Sequence, residues 1–168
     1  MNQLRIIHAH PDGDPARVSY TVPCEEDRQP SETDEQQIER ICKTHGIVPF
    51  TVMHCAEIAA IVGVGVDGMP HERFLNAWTW DGHALSVHLG RARDLLLGEI
   101  RRNRNQKLIE SDSEKARLDD IGTPTDKGLH AAYRQALRDF PATIPEMTVE
   151  QMMVFAPTWP AKIIAIQK

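Results

Sequence analysis

Residues 74–140 decide the fold. They read FLNAWTWDGHALSVHLGRARDLLLGEIRRNRNQ from Phe74 to Gln106 and DKGLHAAYRQALRDF from Asp126 to Phe140. The pattern changes period within this stretch. Around Asp81-Gly82, apolar and polar residues alternate, as expected for two strands joined by a tight turn whose residues take positive φ. A two-residue turn sets Trp80 against His83 and Trp78 against Leu85, and puts Trp78, Trp80, Leu85 and Val87 on one face. Such cross-strand pairs contribute roughly 0.2–1 kcal/mol each. After His88, the residues Leu89, Ala92, Leu96 and Ile100 fall at helical spacing, which predicts a helix over about 89–119. Its first half is basic (Arg91, Arg93, Arg101, Arg102, Arg104, Lys107) and its second half acidic (Glu110, Asp112, Glu114, Asp119, Asp120). Gly122-Thr123-Pro124 then interrupts the chain. Leu129, Ala132, Tyr133, Ala136, Leu137 and Phe140 recur at i, i+3, i+4, i+7, i+8 and i+11, predicting a second helix over about 125–140 that Pro141 ends. The short break implies an antiparallel helical hairpin.

Upstream, Leu4 to Ala9 predicts a strand stopped by turn formers, and Val18, Tyr20 and Val22 alternate as a second strand should. Ser31 or Thr33 is placed to cap a short helix over about 34–44, with Ile38 and Ile41 inward and Gly46 at its end. Residues 47–55 alternate loosely and predict a strand. Residues 57–66, with their glycines, read as a loop with extended pieces. Downstream, a short helix is predicted over about 148–155, and Ile163, Ile164 and Ile166 form a final apolar strip. The fold expected is α+β: a β-rich module over 1–70 with one short helix, then a β-hairpin, a helical hairpin and a tail over 71–168.

Composition restricts function. With 168 residues, 41% of them hydrophobic but only 5% aromatic, the chain affords one domain or two small ones with lean aliphatic cores. The net charge of −5 argues against a nucleic-acid partner, which calls for a basic excess. The longest apolar run, 58–66, is too short to span a bilayer, and the first residues hold no apolar leader, so no membrane role is expected. Cys24, Cys42 and Cys55 form no CxxC pair and suit a reducing compartment.

Motifs of the kind that carry chemistry are weak. Gly63-Val-Gly-Val-Asp-Gly68 has glycines at dinucleotide-loop spacing, but no helix opens after it to hold a pyrophosphate, so it reads as a glycine loop. The histidines show no ligand spacing. The segment His8-Ala-His-Pro-Asp-Gly-Asp14 resembles the AHPDDE element of zinc-dependent sugar deacetylases, which implies metal-binding roles for His10, Asp12 and Asp14. It departs from that element at Gly13 and Asp14, and no later HxxH segment supplies a further ligand. We read it as a turn and keep a metal-dependent hydrolase as the alternative. No catalytic, cofactor or metal residue is assigned.

Three segments together resemble a family. Gly46-Ile-Val-Pro-Phe50 leads to Arg73-Phe-Leu-Asn-Ala-Trp-Thr-Trp80; Ala92-Arg-Asp-Leu-Leu-Leu-Gly-Glu-Ile-Arg-Arg102 follows; then come Tyr133-Arg-Gln-Ala-Leu-Arg-Asp139 and the pair Trp159-Pro160. These are similar to small accessory proteins of tailed bacteriophages, the tail assembly chaperones and tail-fibre assembly proteins. The resemblance implies a non-enzymatic role binding phage tail or tail-fibre subunits, in several copies per tail, in the host cytoplasm during assembly or in the virion. The partner-binding residues expected on this reading are Trp78, Trp80, Arg93, Arg101, Arg104, Tyr133 and Leu137.

Overall fold

A computed structural model of the chain describes residues 3–11, 17–63 and 72–162. The protein is α+β, and two compact units are distinguished: Met1–Ala92 with Thr148–Met153, and Arg93–Met147 with Val154–Lys168.

In the first unit, β1 (Leu4–Ala9) is the middle strand of an antiparallel sheet, flanked by β2 (Val18–Thr21) and β3 (Pro49–His54). Ile6 lies opposite Thr21 and Val52, and Ile7 opposite Tyr20 and Thr51, with a register irregularity between Ile7 and His8. Successive strand residues point to opposite faces. Ile6 and Ile7 are both fully shielded, so both faces of β1 are covered.

The first helix, α1 (Asp34–His45), forms for the reasons its sequence offers. Thr33 Oγ1 accepts from the Gln36 amide at 3.3 Å and Gln36 Oε1 accepts from the Thr33 amide at 2.9 Å, a reciprocal cap. Gly46 closes the helix at φ 64°, a left-handed conformation that glycine enters without a Cβ penalty. Ile41 is buried as expected. So is Gln37, whose Nε2 donates to the Cys24 carbonyl at 2.7 Å and whose Oε1 accepts from Arg28 at 3.1 Å.

The expected loop over 57–66 is in part a helix, α2 (Cys55–Val62). Glu57 reaches back to the His54 amide at 2.7 Å, and Ile58 and Val62, one turn apart, are both fully buried. That burial draws the segment into a helix, and Gly63, at φ 80°, ends it. The remainder of the glycine motif, Val64 to Gly68, lies outside the described residues.

After a 3-10 segment over Glu72–Ala77, β4 (Trp78–Trp80) and β5 (Leu85–Val87) form the hairpin. Its register differs from the expected one: Trp80 faces Leu85 and Trp78 faces Val87, so the loop has four residues and not two. Asp81 Oδ1 accepts from the amides of His83 and Ala84, each at 2.8 Å, and only Gly82, at φ 100°, takes the positive φ. This Asp-centred turn satisfies the backbone of a longer loop. The two-residue shift conserves the strand faces, because the side-chain period is two. Trp78 and Leu85 join Ile7, Val18, Ile58 and Val62 in one buried cluster, with Trp80 and Val87 packed on its edge. Beside it, Arg5 is buried, lies 4.2 Å from the centre of the Tyr20 ring and pairs with Glu72 at 3.7 Å. The Tyr20 hydroxyl donates to Glu72, and burial and that bond push its pKa up to about 12.

The long helix expected over 89–119 is two: α3 (Leu89–Glu110) and α4 (Asp112–Ile121). They part at the buried Ser111, whose hydroxyl donates to the Leu108 carbonyl at 2.7 Å, a side-chain bond that competes with the helical ladder. The next helix, α5 (Pro124–Asp139), is capped by Thr123, with Pro124 in its first turn. A short α6 (Val149–Val154) follows. The final strip with Ile163, Ile164 and Ile166 lies outside the described residues.

One expected result concerns acid stability. Arg40 donates to both carboxylate oxygens of Glu32, at 2.8 and 2.9 Å, and the Gln29 amide adds a third bond at 3.0 Å. These bonds, those from Arg40 foremost, hold the Glu32 carboxyl at about 2. An unfolded glutamate titrates near 4.3. The stability this group contributes is therefore present above about pH 4.3 and lost as pH falls through 2. Urea melts at pH 6, 4 and 2.5 should show Glu32→Gln less stable than the parent at pH 6, with the gap closing toward pH 2.5. A constant gap would contradict the assignment.

Candidate functional site

The amino-terminal turn holds the residues of the deacetylase-like element. His8 donates through Nδ1 to the Ala9 carbonyl at 2.9 Å, and its Nε2 shares a hydrogen bond with the Thr21 hydroxyl at 3.0 Å. His10 Nε2 accepts from Arg17 at 3.4 Å. Asp12 and Asp14 lie outside the described residues. Among the described residues, no cluster of His, Cys, Asp and Glu is arranged to hold a metal ion. Likewise, no described helix is long and apolar enough to cross a membrane.

The helical unit offers a more definite feature. Lys127 Nζ donates to the Asp119 carbonyl at 3.0 Å, while Arg134 Nη1 reaches Asp112 at 2.6 Å, Ser111 Oγ at 2.5 Å and the Leu108 carbonyl at 3.1 Å. One contact joins the end of α4 to the start of α5, and the others join the α3–α4 junction, including Asp112 at the start of α4, to the later part of α5. The two helices thus run antiparallel, as the sequence implied. Between them lies a groove of about 520 Å³. Lys115, Leu118 and Asp119 line it from α4; Lys127, His130, Ala131, Arg134 and Arg138 are among those lining it from α5.

The turn of α5 explains this groove and departs from expectation. Leu137 is fully buried, but its inward companion is His130, 3% exposed, while Leu129, Ala132 and Ala136 of the predicted stripe face solvent. Alanine methyl groups release little free energy on burial, so they do not fix which arc turns inward. The burial of Leu137 and the bonds of Arg134 together favour the arc observed. His130 is held neutral, since burial and then the charge of Arg134 push its pKa down. Its Nε2 has no hydrogen-bond partner among the described residues. Sequence reasoning passed over Lys127, His130, Arg134 and Arg138, although the spacing of Lys127, Ala131, Arg134 and Arg138 along one helical face was there to be read.

The seven residues expected to meet a partner divide between the units. In the first unit, Trp78 is fully buried, so its role there is in the core. Trp80 is half-buried, with its ring stacked 6.1 Å from that of Phe50. In the second, Leu137 is buried, Tyr133 is half-buried beside His130, and Arg93 pairs with Glu146 at 3.0 Å. Arg104 is half-buried and donates to Asn105, while Arg101 is exposed and makes no ion pair among the described residues. Trp159, of the Trp-Pro pair, lies against Phe140 at 4.7 Å and beneath Lys107 at 5.3 Å.

Comparison with known proteins bears out the expected resemblance. Residues 97–162, most of the helical unit, match the phage tail assembly chaperone protein family. No curated protein and no solved structure matches the chain.

Proposed function

We propose that this chain, similar over residues 97–162 to phage tail assembly chaperones, is a non-enzymatic binding protein that holds a tail or tail-fibre subunit of a bacteriophage before or during its incorporation. The family match carries the reading, and the structure agrees with it in kind. The matched segment is a helical unit with a solvent-facing apolar strip and an open groove, the sort of surface that receives a segment of another chain. Localisation follows from the role: host cytoplasm for a transient chaperone, the virion tail for a retained component. Tails repeat their subunits around an axis, so several copies acting together would gain by avidity.

The partner is met by side chains it can reach. Arg101, Arg104, Tyr133 and Trp80 are the contacts we assign among those read from the sequence, whereas Trp78 and Leu137 serve by holding their units together. Arg101→Glu combined with Arg104→Glu should leave the circular dichroism spectrum unchanged. It should weaken capture of the tail subunit, identified by mass spectrometry from infected cells, by tenfold or more. Capture unchanged by the double substitution would remove this face from the account. The same method on purified particles separates the two localisations: a stoichiometric signal means retention, and absence means release.

A further inference from the structure

The groove between α4 and α5 is electropositive in a chain whose net charge is −5. Four of its lining residues are cations, Lys115, Lys127, Arg134 and Arg138, and one, Asp119, is a carboxylate. Lys115 is paired with Asp119 at 2.5 Å, and Arg134 with Asp112 at 2.6 Å. Lys127 and Arg138 are exposed and make no ion pair among the described residues. They stand eleven residues apart on α5, three turns and about 16 Å along the same face. A single phosphate or carboxylate cannot meet both. A length of polypeptide can, and the exposed Ala131 between them leaves room for its backbone or side chains.

We infer that this groove receives an acidic segment of the tail protein, whose carboxylates, spaced to match three helical turns, pair with Lys127 and Arg138. The inference rests on the tail-binding reading and names its site. Complementary charge at such a rim sets partner choice and the rate of encounter. Buried contact within the groove, over Leu118 and beside His130 Nε2, which has no partner among the described residues, would supply the remainder.

The test uses the full chain, tagged and co-expressed with the phage tail proteins, with captured proteins identified by mass spectrometry. A carbodiimide, which joins an amine directly to a carboxylate, is then applied to the complex. The groove predicts a cross-link from Lys127 to an Asp- or Glu-rich segment of the captured tail protein. It also predicts that Lys127→Glu combined with Arg138→Glu lowers capture by at least tenfold, with an unchanged circular dichroism spectrum and melting temperature. Should that variant lose structure, Lys127→Gln with Arg138→Gln, which removes charge without adding any, takes its place with the same expected loss.

If the parent captures a tail protein and both variants capture it equally, the groove is not the site and the tail-binding reading survives. Cross-links from Lys127 only to a second copy of this chain, or capture abolished by nuclease, would overturn the proposal in favour of self-association or nucleic acid. If the parent captures no tail protein at all, the functional reading fails first.

Discussion

Leu137→Asp should abolish the fold of the helical unit. Leu137 is fully shielded on α5, whose other buried side chain is His130. Removing the leucine forfeits its burial and leaves space, and the aspartate must either ionise in an apolar site or take up a proton. The two penalties together cost about 3–5 kcal/mol, which approaches the whole stability of a small unit. The expected result is a large loss of ellipticity at 222 nm and no cooperative urea transition for the helices. Leu137→Met, which conserves volume, should cost less than about 1.5 kcal/mol. If Leu137→Asp melts like the parent, the inward face of α5 has been misassigned, and with it the groove that the adjoining arc borders through His130 and Arg134.

Trp78→Ala should be the most damaging single truncation in the first unit. The ring is fully buried in the cluster with Ile7, Val18, Ile58, Val62 and Leu85, and its centre lies 5.7 Å from that of Tyr20. Phe or Trp to Ala changes in cores cost about 3–5 kcal/mol. A sharper outcome comes from Trp78→Phe. The indole Nε1 has no hydrogen-bond partner among the described residues, so the smaller ring gives up no bond and relieves a buried polar atom. Trp78→Phe should therefore cost much less than Trp78→Ala, and Trp80→Ala, at a half-exposed ring, less than either core truncation. These differences are read from urea midpoints at constant slope. Equal costs for the phenylalanine and alanine variants at position 78 would show that the indole nitrogen is bonded after all.

How much of this was legible follows from the kind of interaction involved. Where the determinants are local, the sequence sufficed: Thr33, Gln36 and Gly46 bound α1, and Thr123 and Pro124 open α5. The shared hairpin face of Trp78, Trp80, Leu85 and Val87 survived an error in loop length, because a two-residue shift does not change which side a residue faces. The loop itself was misjudged because a side-chain acceptor, Asp81, could replace the backbone geometry of a tighter turn. Three things went beyond the sequence pattern, two of them through contacts distant in sequence. Ser111, by a local bond from its hydroxyl to the Leu108 carbonyl, parted α3 from α4. Burial of Ile58 and Val62 turned a glycine-bounded segment into α2. The reach of Arg134 to Leu108, Ser111 and Asp112 helped set which arc of α5 turned inward. The candidate groove was hidden for that last reason: its cations come together only where α4 lies alongside α5.

The central claim is that the chain holds a tail subunit, and the fate of those subunits tests it most directly. Each tail protein of the phage is expressed alone and then together with this chain, and soluble and pelleted fractions are compared before size-exclusion chromatography. The account predicts that at least one tail protein moves from pellet to supernatant only when the chain is present, and that the two co-elute. Every tail protein distributing identically with and without the chain, with no co-elution, would contradict it.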